Sequence, residues 1–272
     1  MKPIDPELCG FLLRAVTDQL AQSVRPRADE HIGRIIGHIQ AASARAKAAL
    51  AAALAVHYPA IGWSDAEARP DRQIRPAPDE NFWVYDPIDG AYHYAQGLPL
   101  WSASLALVSE GRTVLALVYD PVLRELFVAA EGGGATLNGA PVQASVKTVL
   151  AGAVVATAVP PFRPGDPAEH QQALILLGAV ARHVFIIRQM ASASLQLAYV
   201  AAGRLDGYWE IGRDVHDWLA GALLVRESGA AVTDLAGAPF DWEACGIVAA
   251  PPGLARGLLD AIAATGSSSG GS

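Results

Sequence analysis

Two carboxylates lie three residues apart in the run Asp86-Pro87-Ile88-Asp89-Gly90, directly after the aromatic stretch Phe82-Trp83-Val84-Tyr85. A hard cation such as Mg2+ takes oxygen ligands, and it commonly uses one or two protein carboxylates together with a substrate phosphate. Proline fixes the backbone between the two acids, so the pair has the donor chemistry and the spacing for such an ion. A turn whose Asp side chains bond their own backbone is an alternative use of the same residues. Other runs carry less. Gly62-Trp63-Ser64-Asp65-Ala66 partly matches the G-x-S-x-G pattern of a nucleophile elbow, but the last glycine is missing and a polar loop follows where a helix should begin. Gly132-Gly133-Gly134 lacks the Gly-Lys-Ser/Thr of a P-loop and reads as a hairpin turn. Cys9 and Cys245 stand in no metal-ligand spacing and read as buried thiols.

The elements around the acid pair follow from periodicity. Leu8, Phe11, Leu12, Ala15, Val16 and Leu20 mark one face of a helix over residues 7–20, entered through Pro6. A second helix is predicted over 32–56, rich in alanine and stopped by His57-Tyr58-Pro59. The polar, proline-containing stretch 62–81 reads as a surface loop or mobile flap. A buried strand over 82–85 then ends at Asp86-Pro87. Short β-like runs at 105–108, 113–119 and 125–130, separated by turn residues, predict an antiparallel meander. Strands are expected at 154–159 and 183–187 with a helix between them, then a helix at 194–202, a strand at 207–209, a helix at 218–227 and a strand at 246–249. That order predicts an α+β layered sandwich.

The chain has 272 residues, enough for one enzyme-sized core. Hydrophobic residues make up 52%, yet charged residues break every apolar stretch before a bilayer-spanning length. The N-terminus carries acids and prolines where a secretory signal needs a basic cap and an apolar run. A cytoplasmic protein with no membrane contact is expected. The formal charge of -7 argues against a nucleic acid polymer as partner, whereas a bound divalent cation can reverse the local field for a small anion.

The acid pair keeps company that extends over much of the chain. Asp86-Pro87-Ile88-Asp89-Gly90 with Gly97-Leu98-Pro99 resembles the first signature of the inositol monophosphatase family. Asp120-Pro121, Glu125-Leu126-Phe127, Gly133-Gly134-Ala135 and Leu137-Asn138-Gly139 are similar to its central β region. Leu205-Asp206-Gly207-Tyr208-Trp209-Glu210 and Asp217-Trp218-Leu219-Ala220-Gly221 resemble its second signature. The resemblance implies an αβαβα layered sandwich of the inositol monophosphatase / sugar phosphatase type. Residues 1–265 would form one phosphatase-like domain of two closely packed α+β subdomains dividing near 145–150, with 266–272 as a flexible Gly/Ser tail. It implies Mg2+-dependent hydrolysis of a small phosphate monoester, of inositol, another sugar or a nucleotide, and it admits a homodimer. Carried over residue by residue, Asp86, Asp89 and Asp217 would bind metal, Ile88 would ligate through its carbonyl, and Asp86 would bridge two ions. Gly90 and Ala91 would hold phosphate through their backbone N–H groups, and Glu210 would contact substrate hydroxyls. For Asp217 a helix N-cap ahead of Trp218 is an alternative, and both uses can hold together. Clustered acids without cations should leave the fold locally strained or show raised pKa values.

The pattern also breaks in places. The family's Gly-Glu-Glu element, whose first Glu binds metal and helps activate water, is Gly62-Trp63-Ser64 here. The family's Asp-Gly-Thr is Asp89-Gly90-Ala91, and an Asp that supports the threonine is Ser43. Asp65, Glu67, Asp79 or Glu80 could reach into the position of the lost acids or stand as solvated loop acids. His93 could act as a substitute base or phosphate donor, or simply pack. These changes predict slow turnover at a degenerate water-activating site. The alternative is a catalytically inactive member that binds metal or a phosphorylated ligand as a sensor or assembly subunit.

Overall fold

A computed structural model describes residues 3–22, 31–66, 69–77, 79–161 and 167–264. Two helices open the chain, α1 (Pro6–Ala21) and α2 (Ile32–Ala55). Asp5 caps α1, its carboxylate accepting from the Glu7 and Leu8 N–H groups at 2.9 and 3.2 Å, and Pro6 takes the first turn, where no N–H is needed.

A seven-stranded sheet follows: β1 (Gly62–Trp63), β2 (Asn81–Asp89), β3 (Ser102–Ser109), β4 (Arg112–Asp120), β5 (Glu125–Ala130), β6 (Ala135–Leu137) and β7 (Ala140–Pro141), in spatial order of sequence. β1 runs parallel to β2, and every later neighbour is antiparallel. The predicted meander is therefore present and longer than its sequence runs suggest. Apolar side chains alternate between the faces. Trp83, Tyr85, Leu105, Leu107, Leu115 and Leu117 pack toward α1 and α2, while Val84, Ala106, Val108, Ala116 and Val118 pack toward the opposite layer. Both faces are covered, which is why these strands read as continuous hydrophobic runs.

That opposite layer is α5 (Ala193–Ala201) and α6 (Val215–Glu227), which form one core with the inner face of the sheet. Beyond it lies a second sheet in the order β11 (Ala231–Thr233), β12 (Gly246–Ala250), β10 (Gly207–Ile211), β8 (Val154–Thr157), β9 (Ile186–Gln189). Its outer face packs against α4 (Ala168–Val180) and α7 (Pro252–Ala263). A six-residue helix, α3 (Ala91–Gln96), links β2 to β3. The layers thus run αβαβα, as the resemblance implied. The first sheet ends at Pro141 and the second begins at Val154.

Several details differ from the sequence expectations. β2 does not stop at Asp86-Pro87 but continues to Asp89, because a shift in its register with β3 accommodates the proline. α6 begins at Val215, so Asp217 sits in its first turn and Asp214 occupies the cap position. The ninth strand begins three residues later than expected, after a turn at His183. The 62–81 stretch is anchored rather than a free flap: β1 pairs with β2, and Gln73 is buried. Cys9 is buried as expected, but Cys245 is exposed. Glu67 and the 266–272 tail lie outside the described residues. Among the described residues, no helix is long and apolar enough to cross a membrane.

Candidate active site

Residues three apart on a regular strand point to opposite faces, because side chains alternate with period two. Asp86 and Asp89 escape this rule through a bulge. Asp86 pairs with Ser104 and Asp89 with Ser102, so three residues of β2 oppose two of β3, and one extra residue re-aims the second carboxylate. Both acids consequently line one cavity of about 490 Å3. Gly90 follows in a left-handed conformation, φ 87°, and turns the chain directly into α3. A side chain there would meet the Leu100 carbonyl at 3.0 Å, so the turn needs glycine.

Asp217 reaches the same cavity from the first turn of α6, more than a hundred residues later, and Asp214 joins it from the cap position. The remaining walls come from Ile88 in the bulge, Gly90 and Ala91 after it, and from Ser43, Lys47 and neighbouring residues of α2. The predicted ligands Asp86, Ile88, Asp89 and Asp217, with the predicted phosphate contacts Gly90 and Ala91, are therefore brought together.

Asp89 is buried, and its orientation is set from the other half of the chain. Its Oδ2 accepts from the Ser192 hydroxyl at 3.0 Å, the Ser194 N–H at 2.8 Å and the Ser194 hydroxyl at 2.5 Å. Ser102 backs this arrangement from β3, 2.8 Å from the Ser192 hydroxyl. Asp86 is steadied locally by the Ile88 N–H at 2.9 Å. Asp214 is held by the Gln73 side-chain amide at 2.6 Å, while the Gln73 carbonyl accepts from the His216 N–H at 2.8 Å. The anchored loop thus clamps the start of α6.

The acids pay for their proximity. Burial, then the charge of Asp89, pushes the Asp86 carboxyl up to about 7, against the opposing pull of the Ile88 N–H and the Lys47 ammonium. Asp217 is raised well above the ordinary carboxylate value by burial and by Asp214, Asp89 and Asp86. Burial also raises Asp89 and Asp214, although the serine donors and Gln73 respectively hold them back. Four carboxyls raised together are what a group of acids facing one cavity shows without cations between them. The donor set is all oxygen and suits a hard divalent ion. Among the described residues, no three acidic, histidine or cysteine side chains are close enough to cage an ion by themselves. Magnesium needs no such cage, since it typically keeps several waters and substrate oxygens beside one or two carboxylates.

Glu210 lies apart from the cavity lining. Its Oε2 accepts from the Tyr208 hydroxyl at 2.5 Å and the Trp218 indole N–H at 2.7 Å, and burial pushes its carboxyl up to about 7. Ser43 lines the same cavity as the aspartates. Trp63 and Ser64 instead line a neighbouring cavity with Asp65, Glu80 and His216. Asp65 is exposed and paired with Arg69 at 3.0 Å. Neither it, Asp79, Glu80 nor His93 lines the aspartate cavity.

Asp214, Lys47 and Gln73 are not among the residues singled out from the sequence. Asp214 carries a legible sign: with Asp217 it repeats the D-x-x-D spacing of Asp86 and Asp89. Lys47 stands one turn beyond Ser43 and so shares its helix face. Gln73, a neutral residue in a loop, carries none.

Solved structures share this architecture. The inositol monophosphatase from Anabaena has a TM-score of 0.77 at 26% identity, covering 95% of this chain and 97% of that chain. In sequence, the chain is 40% identical to the inositol-1-monophosphatase of Rhizobium meliloti over 180 residues, 66% of this chain and 66% of that protein. It is 39% identical to the Nus factor SuhB of Vibrio cholerae over 187 residues, 68% of each. These matches span about two thirds of the relatives' lengths. The family model described as the inositol monophosphatase family matches residues 15–267, and the chain belongs to that family.

Proposed function

We propose that the chain is a Mg2+-dependent phosphomonoesterase for a small phosphorylated metabolite, an inositol, sugar or nucleotide phosphate. The observation that carries this reading is the arrival of Asp86, Asp89 and Asp217, remote along the chain, at one cavity beside Gly90 and Ala91. Family membership and the activity named for the Rhizobium meliloti relative support it. Magnesium bound there would supply the positive charge that lets the carboxyls ionise and that draws in a phosphate ester. Asp86, Asp89, Asp217 and the Ile88 carbonyl are the groups to hold it. The Gly90 and Ala91 N–H groups are the donors for phosphate oxygens, and Glu210, outside that lining and fixed by Tyr208 and Trp218, would meet only substrate hydroxyls that extend beyond the cavity.

With Trp63 facing another cavity and no hydroxyl at Ala91, proton removal from the attacking water lacks the usual help. Loss of general-base assistance slows a reaction by roughly 10²- to 10⁴-fold. The test is phosphate release with Mg2+ from a panel of inositol, sugar and nucleotide phosphates. Slow turnover that disappears in Asp89→Asn is the expected result.

A second reading, a non-catalytic member that binds metal or a phosphorylated ligand for sensing or assembly, is favoured by Trp63, Ser64 and Ala91. The name Nus factor, carried by the Vibrio cholerae relative, is in keeping with it. Turnover equal to that of Asp89→Asn, with divalent-ion binding intact, would select this reading.

A further inference from the structure

Lys47 is the single cationic side chain among the described residues lining the aspartate cavity. It is half-buried on α2, one turn beyond Ser43, and shares its wall with Gln40 and Ala44. Asp86 lines the same cavity, where an ammonium and a carboxylate attract each other. The acids that the family pattern would place beside Asp86 are replaced by Trp63 and Ser64, which line the neighbouring cavity. The aspartate cavity is thus lined by the Lys47 ammonium and by no side chain from residues 62–64. A second divalent ion beside Asp86 would meet fewer carboxylates and a like charge, a combination that disfavours it.

We propose that the Lys47 ammonium is a tethered cation standing in for one divalent ion beside Asp86, so that the site takes a single ion and Lys47 helps receive the phosphate. The inference rests on the metal-binding reading above. An ammonium is a compact point charge with three donors on a flexible stem, well suited to a phosphate oxygen. It neutralises part of the four-aspartate cluster without needing to be bound from solution.

The test is Mn2+ titration of the full chain followed by electron paramagnetic resonance, with thermal melting to confirm folding and inorganic phosphate as the anion probe. The wild-type chain binds one Mn2+, and Lys47→Glu binds two. Lys47→Met binds Mn2+ about tenfold more tightly as the like charge is removed. The Mn2+-loaded Lys47→Met chain holds phosphate about tenfold more weakly. Two Mn2+ ions in the wild-type chain would overturn the Lys47 role and leave the phosphatase reading standing. So would Lys47→Met affinities for Mn2+ and phosphate within about twofold of wild type. No Mn2+ binding at all would overturn both.

Discussion

The Ser194 hydroxyl donates to Oδ2 of Asp89 across 2.5 Å, so the start of α5 orients a carboxylate supplied by the first sheet. Together with the Ser192 hydroxyl and the Ser194 N–H, it engages one carboxylate oxygen with three donors. Groups that orient a metal ligand typically matter by 10- to 100-fold in metal affinity. Ser194→Ala should therefore weaken Mn2+ binding by roughly that factor, read by calorimetric titration. Unchanged affinity would mean that Asp89 needs no such support.

Gly90 is the hinge between the bulged strand and α3. Its φ of 87° is costly for any other residue, and an added Cβ would lie 3.0 Å from the Leu100 carbonyl and 3.3 Å from Trp101. Gly90→Ala should destabilise the fold by about 1–3 kcal/mol, lowering the urea midpoint without changing the slope. An unchanged midpoint would show that the turn can shift without strain.

The layered fold was legible because both faces of the first sheet are covered, which leaves long apolar runs such as 113–119 between clear turns. The site was legible in its acids and less so in its geometry. Asp86 and Asp89 could be named from their spacing, but only the register shift against Ser102 and Ser104 explains how both reach one cavity. Proline at 87 suggested a strand end, because a bulge that tolerates proline depends on the partner strand. α6 starts earlier than the sequence suggests, because Asp217 resembles a helix cap while the residue at the cap position is Asp214. Gln73 was beyond reach, for its role comes from contacts with residues 141 and 143 positions away.

Raised carboxyl pKa values carry a definite sign. In the metal-free fold Asp86 holds its proton up to about 7, against 3.8 without the surroundings, and Glu210 likewise up to about 7, against 4.5. Between those limits the unfolded chain binds fewer protons than the fold, so this contribution to stability is full at low pH and lost as pH rises toward 7. A divalent ion favours the ionised carboxylates and offsets that loss. The rise in melting temperature on adding saturating Mg2+ should be larger at about pH 8 than at about pH 5. A shift that is equal at both, or larger in acid, would contradict the assignment of Asp86 to the ion.

The most direct measurement is an anomalous difference map from a crystal grown with Mn2+ and phosphate. A peak bounded by Asp86, Asp89 and Asp217, with carboxylate oxygens at about 2.1 Å and phosphate beside Gly90 and Ala91, is the predicted result. A map with no peak among those three side chains, or with its ion held elsewhere on the protein, would contradict it.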